Sequence, residues 1–193
     1  KVKNGNVSIL CSNCADQQLR SVEEEETDLF GQLASSYPQF FTYDKGEEVY
    51  KTLSLLYDEV EKRKDHPERC KNAIWWFVVR PEIINNMTQV FVTDFKELLG
   101  VGAKYNIHIV LWNYDIKQTQ TMQINRNMFG ERICIEMSAE DMRLVNGAEL
   151  KPAPSGYKVS IVGNKTMRFR AFDLPEGLWM NQLFARLDSL IGR

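Results

Sequence analysis

Apolar residues recur along this chain with two different periods, and the period assigns the elements. Between Gly46 and Lys64, Val49, Leu53, Leu56 and Val60 fall on one stripe with charged residues opposite. That spacing predicts an amphipathic helix ending in Asp58-Glu-Val-Glu-Lys-Arg63. Ala73-Ile-Trp-Trp-Phe-Val-Val79 is instead a continuous apolar run, too short for a typical helix and rich in β-formers. It predicts a strand covered on both faces and stopped by Pro81. A helix is predicted over Phe91–Tyr105, a second buried strand over Ile107–Trp112, and a third over Arg132–Met137. Nearer the N-terminus, Asn6–Leu10 reads as a short buried strand and Ser36–Tyr43 as a returning one. The acidic run Glu23–Glu26 with Asp28 reads as a solvated loop or helix start leading into Leu29–Leu33.

Downstream, Ser138-Ala-Glu-Asp141 has the form of a capping box, with Asp141 as a shorter stand-in for Glu. Tyr157–Val162 and Met167–Phe172 alternate around Gly163-Asn-Lys165, which predicts a hairpin, and Gly177–Ile191 closes the chain as an amphipathic helix. Strands alternating with helical patterns imply parallel βαβ units. The expected fold is therefore α/β, with helices on both faces of one mostly parallel sheet and an antiparallel hairpin appended. Strands 74–79, 107–112 and 132–137 are expected to lie adjacent and parallel in that sheet.

With 193 residues, 44% apolar and 26% charged, the chain can bury a proper core as one domain. A formal net charge of -2 gives no global pull toward nucleic acid, although a local basic groove remains open. No apolar run reaches the roughly 18 residues of a membrane span, so no membrane contact is expected from this segment. Four scattered cysteines do not form a secreted disulfide framework, which points to a reducing, cytoplasmic compartment. The Asn-x-Ser/Thr matches at Asn6, Asn86 and Asn164 are then chance occurrences. The chain starts at Lys1 rather than Met, so an excerpt of a longer polypeptide is expected.

Several residue groups suggest chemistry directly. Cys11-Ser-Asn-Cys14 follows a strand as a redox motif does, and Cys11 and Cys14 with His66 and Cys70 would make a Cys₃His zinc set. The expectation is unremarkable thiols, with His66 on a loop between elements and a small zinc-binding domain as one alternative. Gly163-Asn-Lys-Thr166 resembles a phosphate loop only superficially, because it sits at a hairpin with an extra residue before Lys165. Lys165, Arg168 and Arg170 make the best local basic patch, with solvated strand charges as the plain reading. His108 is expected as a satisfied core or strand-end imidazole, and Trp75, Trp76, Trp112 and Trp179 as packing residues.

The stretch Gly102-Ala-Lys-Tyr-Asn-Ile-His-Ile-Val-Leu-Trp112, followed by Arg132-Ile-Cys-Ile-Glu-Met-Ser138 and Glu140-Asp-Met-Arg143, resembles the core of FtsK/SpoIIIE-like motor ATPases of the HerA-FtsK superfamily. Asn106 stands where that family usually has Gly, a tolerable change at a left-handed helix cap. Arg168-Phe-Arg-Ala-Phe172 and Leu174-Pro-Glu-Gly-Leu-Trp179 resemble the closing strand of one branch of large ATP-binding proteins. The resemblance is strongest from 98 to 147.

What the resemblance implies is a three-layer RecA-like, P-loop NTPase-type module, spanning the whole chain as a single unit without its phosphate loop. In the full-length parent it implies ATP and Mg as cofactors, and as partners neighbouring ATPase domains or subunits, with DNA or a protein as the polymer moved. For this chain alone it implies no cofactor and no catalytic residue. Arg80 and Pro81 occupy the strand-end places where the family usually has Asp and Glu, with Glu82 one residue further on. Asn113 falls at the sensor position, and Arg132 matches the Arg-Ile strand start. Arg80, Glu82, Asn113 and Arg132 are therefore the candidates for a nucleotide interface. The alternative function is a non-enzymatic interaction module that keeps a pseudo-ATPase fold.

Overall fold

The computed structural model describes residues 7–14, 29–81, 89–113, 116–117, 124–135, 137–147, 158–162, 165–170 and 177–191. The chain divides into two compact units, Lys1–Met122 and Gln123–Arg193. The expected acidic loop at 23–28, Glu82 and the hairpin turn at 163–164 lie outside the described residues.

The first unit is built on four parallel strands, β1 (Val7–Asn13), β2 (Phe41–Lys45), β3 (Ala73–Val79) and β4 (Ile107–Trp112), in the order β2-β1-β3-β4. Val7 pairs with Ala73 and Asn13 with Val79, so β1 and β3 run level along their whole length. Ile74 pairs with Ile107 and Val79 with Trp112 across β3 and β4. Three helices connect them: α1 (Leu29–Ser36), α2 (Val49–Asp65) and α3 (Gln89–Val101).

Alternate residues of a strand point to opposite faces, and both faces of this sheet are covered. On one face Trp76 meets Phe95 of α3 edge-on at 5.6 Å, and Tyr50 of α2 meets Phe91 of α3 at 4.4 Å. On the other face Phe77 packs against Phe30 of α1, with ring centroids 5.2 Å apart. Helices on both faces make the three layers expected of a RecA-like module. The helical stripe Val49, Leu53, Leu56 and Val60 is buried, as its spacing predicts.

Boundaries shift where turn chemistry intervenes. The strand expected from Ser36 starts only at Phe41, because Tyr37 and Phe40 are spent on a turn in which Tyr37 N–H donates to Leu33 O and Phe40 N–H to Tyr37 O. Pro38, with no backbone donor, fits that turn and not a ladder. The helix expected to reach Tyr105 changes to a tighter 3₁₀ turn at Gly102–Tyr105, closed by Asn106 in the left-handed conformation at φ 56°. Gly102 is required here, since a Cβ would stand 2.9 Å from the Ile107 carbonyl oxygen.

The second unit holds β5 (Glu131–Ile135), α4 (Ala139–Asn146), β6 (Lys158–Val162), β7 (Lys165–Phe169) and α5 (Leu178–Ile191). Its three strands form a separate antiparallel sheet in the order β5-β6-β7. This corrects one expectation: the strand at 132–137 does not extend the parallel sheet. The reason is in its alternation. Cys134 is buried while Glu131, Ile133 and Ile135 are exposed, so the strand has one covered face, whereas a strand inside a parallel sheet is covered on both. The appended hairpin is present as β6–β7 and takes β5 as its third strand. Ser138 is the N-cap the sequence predicts, its Oγ accepting from Asp141 N–H at 3.1 Å, while the Asp141 carboxylate accepts from the Ser138 hydroxyl at 2.7 Å; Gly147 ends α4 at φ 80°.

Candidate functional site

In an open α/β sheet, ligands bind beyond the carboxyl ends of the strands at the point where strand order reverses. Here the chain goes from β1 out to β2 and then returns across β1 to β3 and β4, so the reversal falls between β1 and β3. The residues that follow those strands are Cys14 and Arg80, with Asn113 following β4. Main-chain bonds strap the three ends together: Cys14 N–H donates to Val79 O at 2.8 Å, and Arg80 N–H to Trp112 O at 2.9 Å.

Arg80 takes a left-handed backbone at φ 51°, uncommon for a residue with a Cβ. Pro81, fully buried, follows it and disfavours a right-handed helical conformation at Arg80. Arg80 and Asn113 are thus brought to neighbouring strand ends. Arg132 lies in the second unit, where its Nη1 donates to Val145 O at 3.2 Å, near the end of α4. Glu82 lies outside the described residues. Lys165, Arg168 and Arg170 are all exposed on or just after β7.

A magnesium-nucleotide site needs a loop of amides around the phosphates and an acid that organises the metal. Arg80 puts a cation where the acid would stand, and Pro81 removes an N–H. Asn113 offers an amide only. Among the described residues, the side chains that follow β3 and β4 are thus a cation and an amide.

The cysteine and histidine set is not assembled. Cys11 and Cys14 stand at the carboxyl half of β1, while His66 and Cys70 precede the first residue of β3, at the opposite end of the sheet. A strand of this length separates the two pairs by roughly 20 Å at about 3.3 Å per residue. Cys11 and Cys14 are buried, whereas a redox pair needs exposure. Among the described residues no group of three or more His, Cys, Asp and Glu could hold a metal ion.

Other buried polar groups were not evident in the sequence. Ser12 and Thr52 hydrogen-bond Asp44 near the end of β2, Thr52 Oγ1 donating to Asp44 Oδ2, while Trp76 Nε1 donates to Ser12 Oγ at 2.8 Å. Burial pushes the Asp44 carboxyl above its usual range, with the hydroxyls of Ser12 and Thr52 opposing it. The only advance signal was an acid at a strand end just before a helix start. Arg63 is a second case, a basic residue at the charged end of α2 that the fold draws inside. Its Nη1 donates to Tyr105 O at 2.6 Å and its Nε to Glu59 Oε1 at 2.9 Å. Asn106 bridges Cys70 O through Nδ2 at 2.7 Å and the His108 Nε2 through Oδ1 at 2.8 Å. His108 also stacks on Trp75 at 4.5 Å, so it is a held imidazole at the start of β4.

Among the described residues no helix is long and apolar enough to cross a membrane. No family model and no curated protein matches the chain. Solved structures do match it. The ATPases 2 and 3 of EssC from Geobacillus thermodenitrificans align over 97% of this chain and 38% of that one, with a TM-score of 0.70 at 11% identity. The ATPases 2 and 3 of EccC from Thermomonospora curvata, in complex with a signal sequence peptide, align over 97% of this chain and 36% of that one, with a TM-score of 0.57 at 12% identity. The cytoplasmic domain of the type VII secretion ATPase EccC from the same organism aligns over 89% of this chain and 22% of that one, with a TM-score of 0.54 at 14% identity. The chain thus spans less than two fifths of each matched structure's length. At these identities the likeness shows the fold: an α/β, RecA-like sheet of the P-loop ATPase type with a separate antiparallel sheet. Its structural neighbours are ATPase domains of type VII secretion proteins.

Proposed function

We propose that this chain is a degenerate or partial FtsK/SpoIIIE-like ATPase module of a translocation machine, 1–193 forming one module of a longer cytoplasmic protein. It packs against neighbouring ATPase domains or subunits, and nucleotide with Mg is held by the parent rather than by this segment. The observation that carries the reading is Arg80: a left-handed arginine at the end of β3, on a sheet of ATPase fold, in the place where the resemblance puts the metal-organising acid. A cation there suits a phosphate presented by a neighbour, with Asn113 at the next strand end; Arg132, in the second unit, is a separate candidate for such a contact. Likeness to tandem ATPase domains, one of them solved with a signal sequence peptide, favours a protein over DNA as the polymer moved. For DNA the support is the exposed set Lys165, Arg168 and Arg170.

The test is calorimetric titration of the isolated chain with Mg-ATP, together with the ATPase rate and thermal stability of the parent carrying Arg80→Ala or Arg132→Ala. No binding by the chain, with a loss of parental rate at unchanged stability, is expected. Micromolar binding by these 193 residues alone would sink the degenerate reading. Binding absent and both parental rates unchanged would leave a non-enzymatic interaction module.

A further inference from the structure

The antiparallel sheet of the second unit has an outer strand of unusual composition. Along β7 every residue from Lys165 to Phe169 is exposed, and Arg170 after it is exposed too. Alternation sorts the strand into two faces. Met167 and Phe169 share one face with Ile133 and Ile135 of β5, since Ile133 and Met167 both stand opposite Ser160, and Ile135 and Phe169 both opposite Lys158. These four apolar residues are between 37% and 59% exposed, in two pairs on the outer strands with Ser160 and Lys158 of β6 between them. Thr166 and Arg168 belong to the other face, level with buried Ile161 and Val159. Among the described residues β7 is an edge strand, so every second residue aims its N–H and C=O away from β6.

We infer that β7 is the docking edge for an extended peptide that alternates apolar and acidic residues and adds to the sheet as a fourth strand. Backbone pairing along β7 gives the affinity. The apolar residues of the peptide cover Met167 and Phe169, and its acids fall beside Arg168 and Arg170. Charge decides against the other simple occupant, a second copy of this chain. Antiparallel pairing of β7 with itself, in the registers that join most of the strand, sets Arg168 opposite or diagonal to another arginine, and like charges at those positions are destabilising. The proposal is independent of the nucleotide reading, because it uses only the second unit.

The experiment uses the full chain and a labelled, capped peptide alternating valine with glutamate, long enough to pair all of β7, followed by fluorescence polarisation. Three comparisons define the mode: a valine and lysine peptide, the valine and glutamate peptide with alternate amides N-methylated, and a chain carrying Arg168→Glu with Arg170→Glu. The expected result is binding of the acidic peptide about tenfold tighter than the basic one, and reversal of that preference in the double variant. Methylation of the amides that face β7 is expected to abolish binding. No binding, equal binding of acidic and basic peptides, or retention by the methylated peptide would each overturn the proposal. A sedimentation result showing that the chain dimerises through β7 would overturn it as well, by assigning the edge to a second copy. The two arginines are exposed, and an unchanged circular dichroism spectrum establishes that the double variant is folded.

Discussion

Replacing Arg63 by alanine tests the packing logic of the first unit most sharply. Arg63 is 2% exposed although it carries a charge, and it donates to Tyr105 O at 2.6 Å while its Nε holds Glu59 at 2.9 Å. Truncation leaves the Tyr105 carbonyl short of a donor in the turn that leads to Asn106 and β4. Breaking a buried ion pair costs about 3 to 5 kcal/mol, largely because the partner charge is stranded. Here Glu59 keeps Arg69, whose Nη2 lies 2.6 Å from Glu59 Oε2, so the lower end applies, about 3 kcal/mol. For a unit of this size that amounts to a fall in Tm of roughly 10 °C. The partly exposed Arg69→Ala should cost no more than about 1 kcal/mol. Burial pushes the Glu59 carboxyl up, but hydrogen bonds and charge from Arg69 and Arg63 outweigh it and hold it below its usual range. The stability this confers is present above the unfolded carboxylate value and is lost as pH falls through the folded one. Differential scanning calorimetry of the wild type and both variants, at neutral pH and at acid pH, therefore gives a pattern. The gap between wild type and Arg63→Ala should be wide at neutral pH and should narrow in acid. A Tm for Arg63→Ala within a degree or two of that for Arg69→Ala would refute the reasoning.

Two further outcomes follow from the same network of buried polar groups. Asp44→Asn removes a carboxyl whose folded pKa is raised, so its stability relative to wild type should grow as pH rises from the usual carboxylate value and level off above the raised one; urea midpoints across pH measure this, and a flat difference would count against the assignment. Asn106→Ala forces an ordinary side chain into a left-handed backbone and also loses the bonds to Cys70 O and His108, whereas Asn106→Gly loses only the bonds; alanine should be less stable than glycine by roughly 1 kcal/mol, and equal melting temperatures would contradict the left-handed cap.

The parallel half of the fold was legible because its signals are strong and local. A seven-residue apolar run such as Ala73–Val79 has few alternatives to a covered strand, and the α2 stripe fixes its own buried face. The antiparallel half was misread at β5 because Arg132-Ile-Cys-Ile is short, and four or five residues do not distinguish one covered face from two; exposure of Ile133 and Ile135 is a tertiary fact. The strand-end positions of Arg80 and Asn113 were legible, since they follow from where an apolar run stops. The Arg63 and Asp44 clusters were not, because each joins residues far apart in sequence through contacts that only the fold creates, Arg63 with Tyr105 and Ser12 with Trp76.

The strand order carries a consequence for how the chain acquires its shape. β1 precedes β3 by more than sixty residues, yet it lies inside the sheet, between β2 and β3, and its pairing of Val7 with Ala73 cannot form until β3 exists. Closing so long a loop is entropically costly, and contacts distant in sequence slow folding. The β1–β2 and β3–β4 pairings, as in Ile9 with Phe41 and Ile74 with Ile107, each span only about half that separation, so these two pairs close first and the β1–β3 ladder then joins them. During synthesis Ile9 and Leu10 then wait without their β3 neighbours Trp75 and Trp76 while more than sixty further residues emerge, at about 5 to 20 residues per second. For those seconds β1 can pair only with β2, and the side of the strand that β3 later occupies has no β3 to pair with.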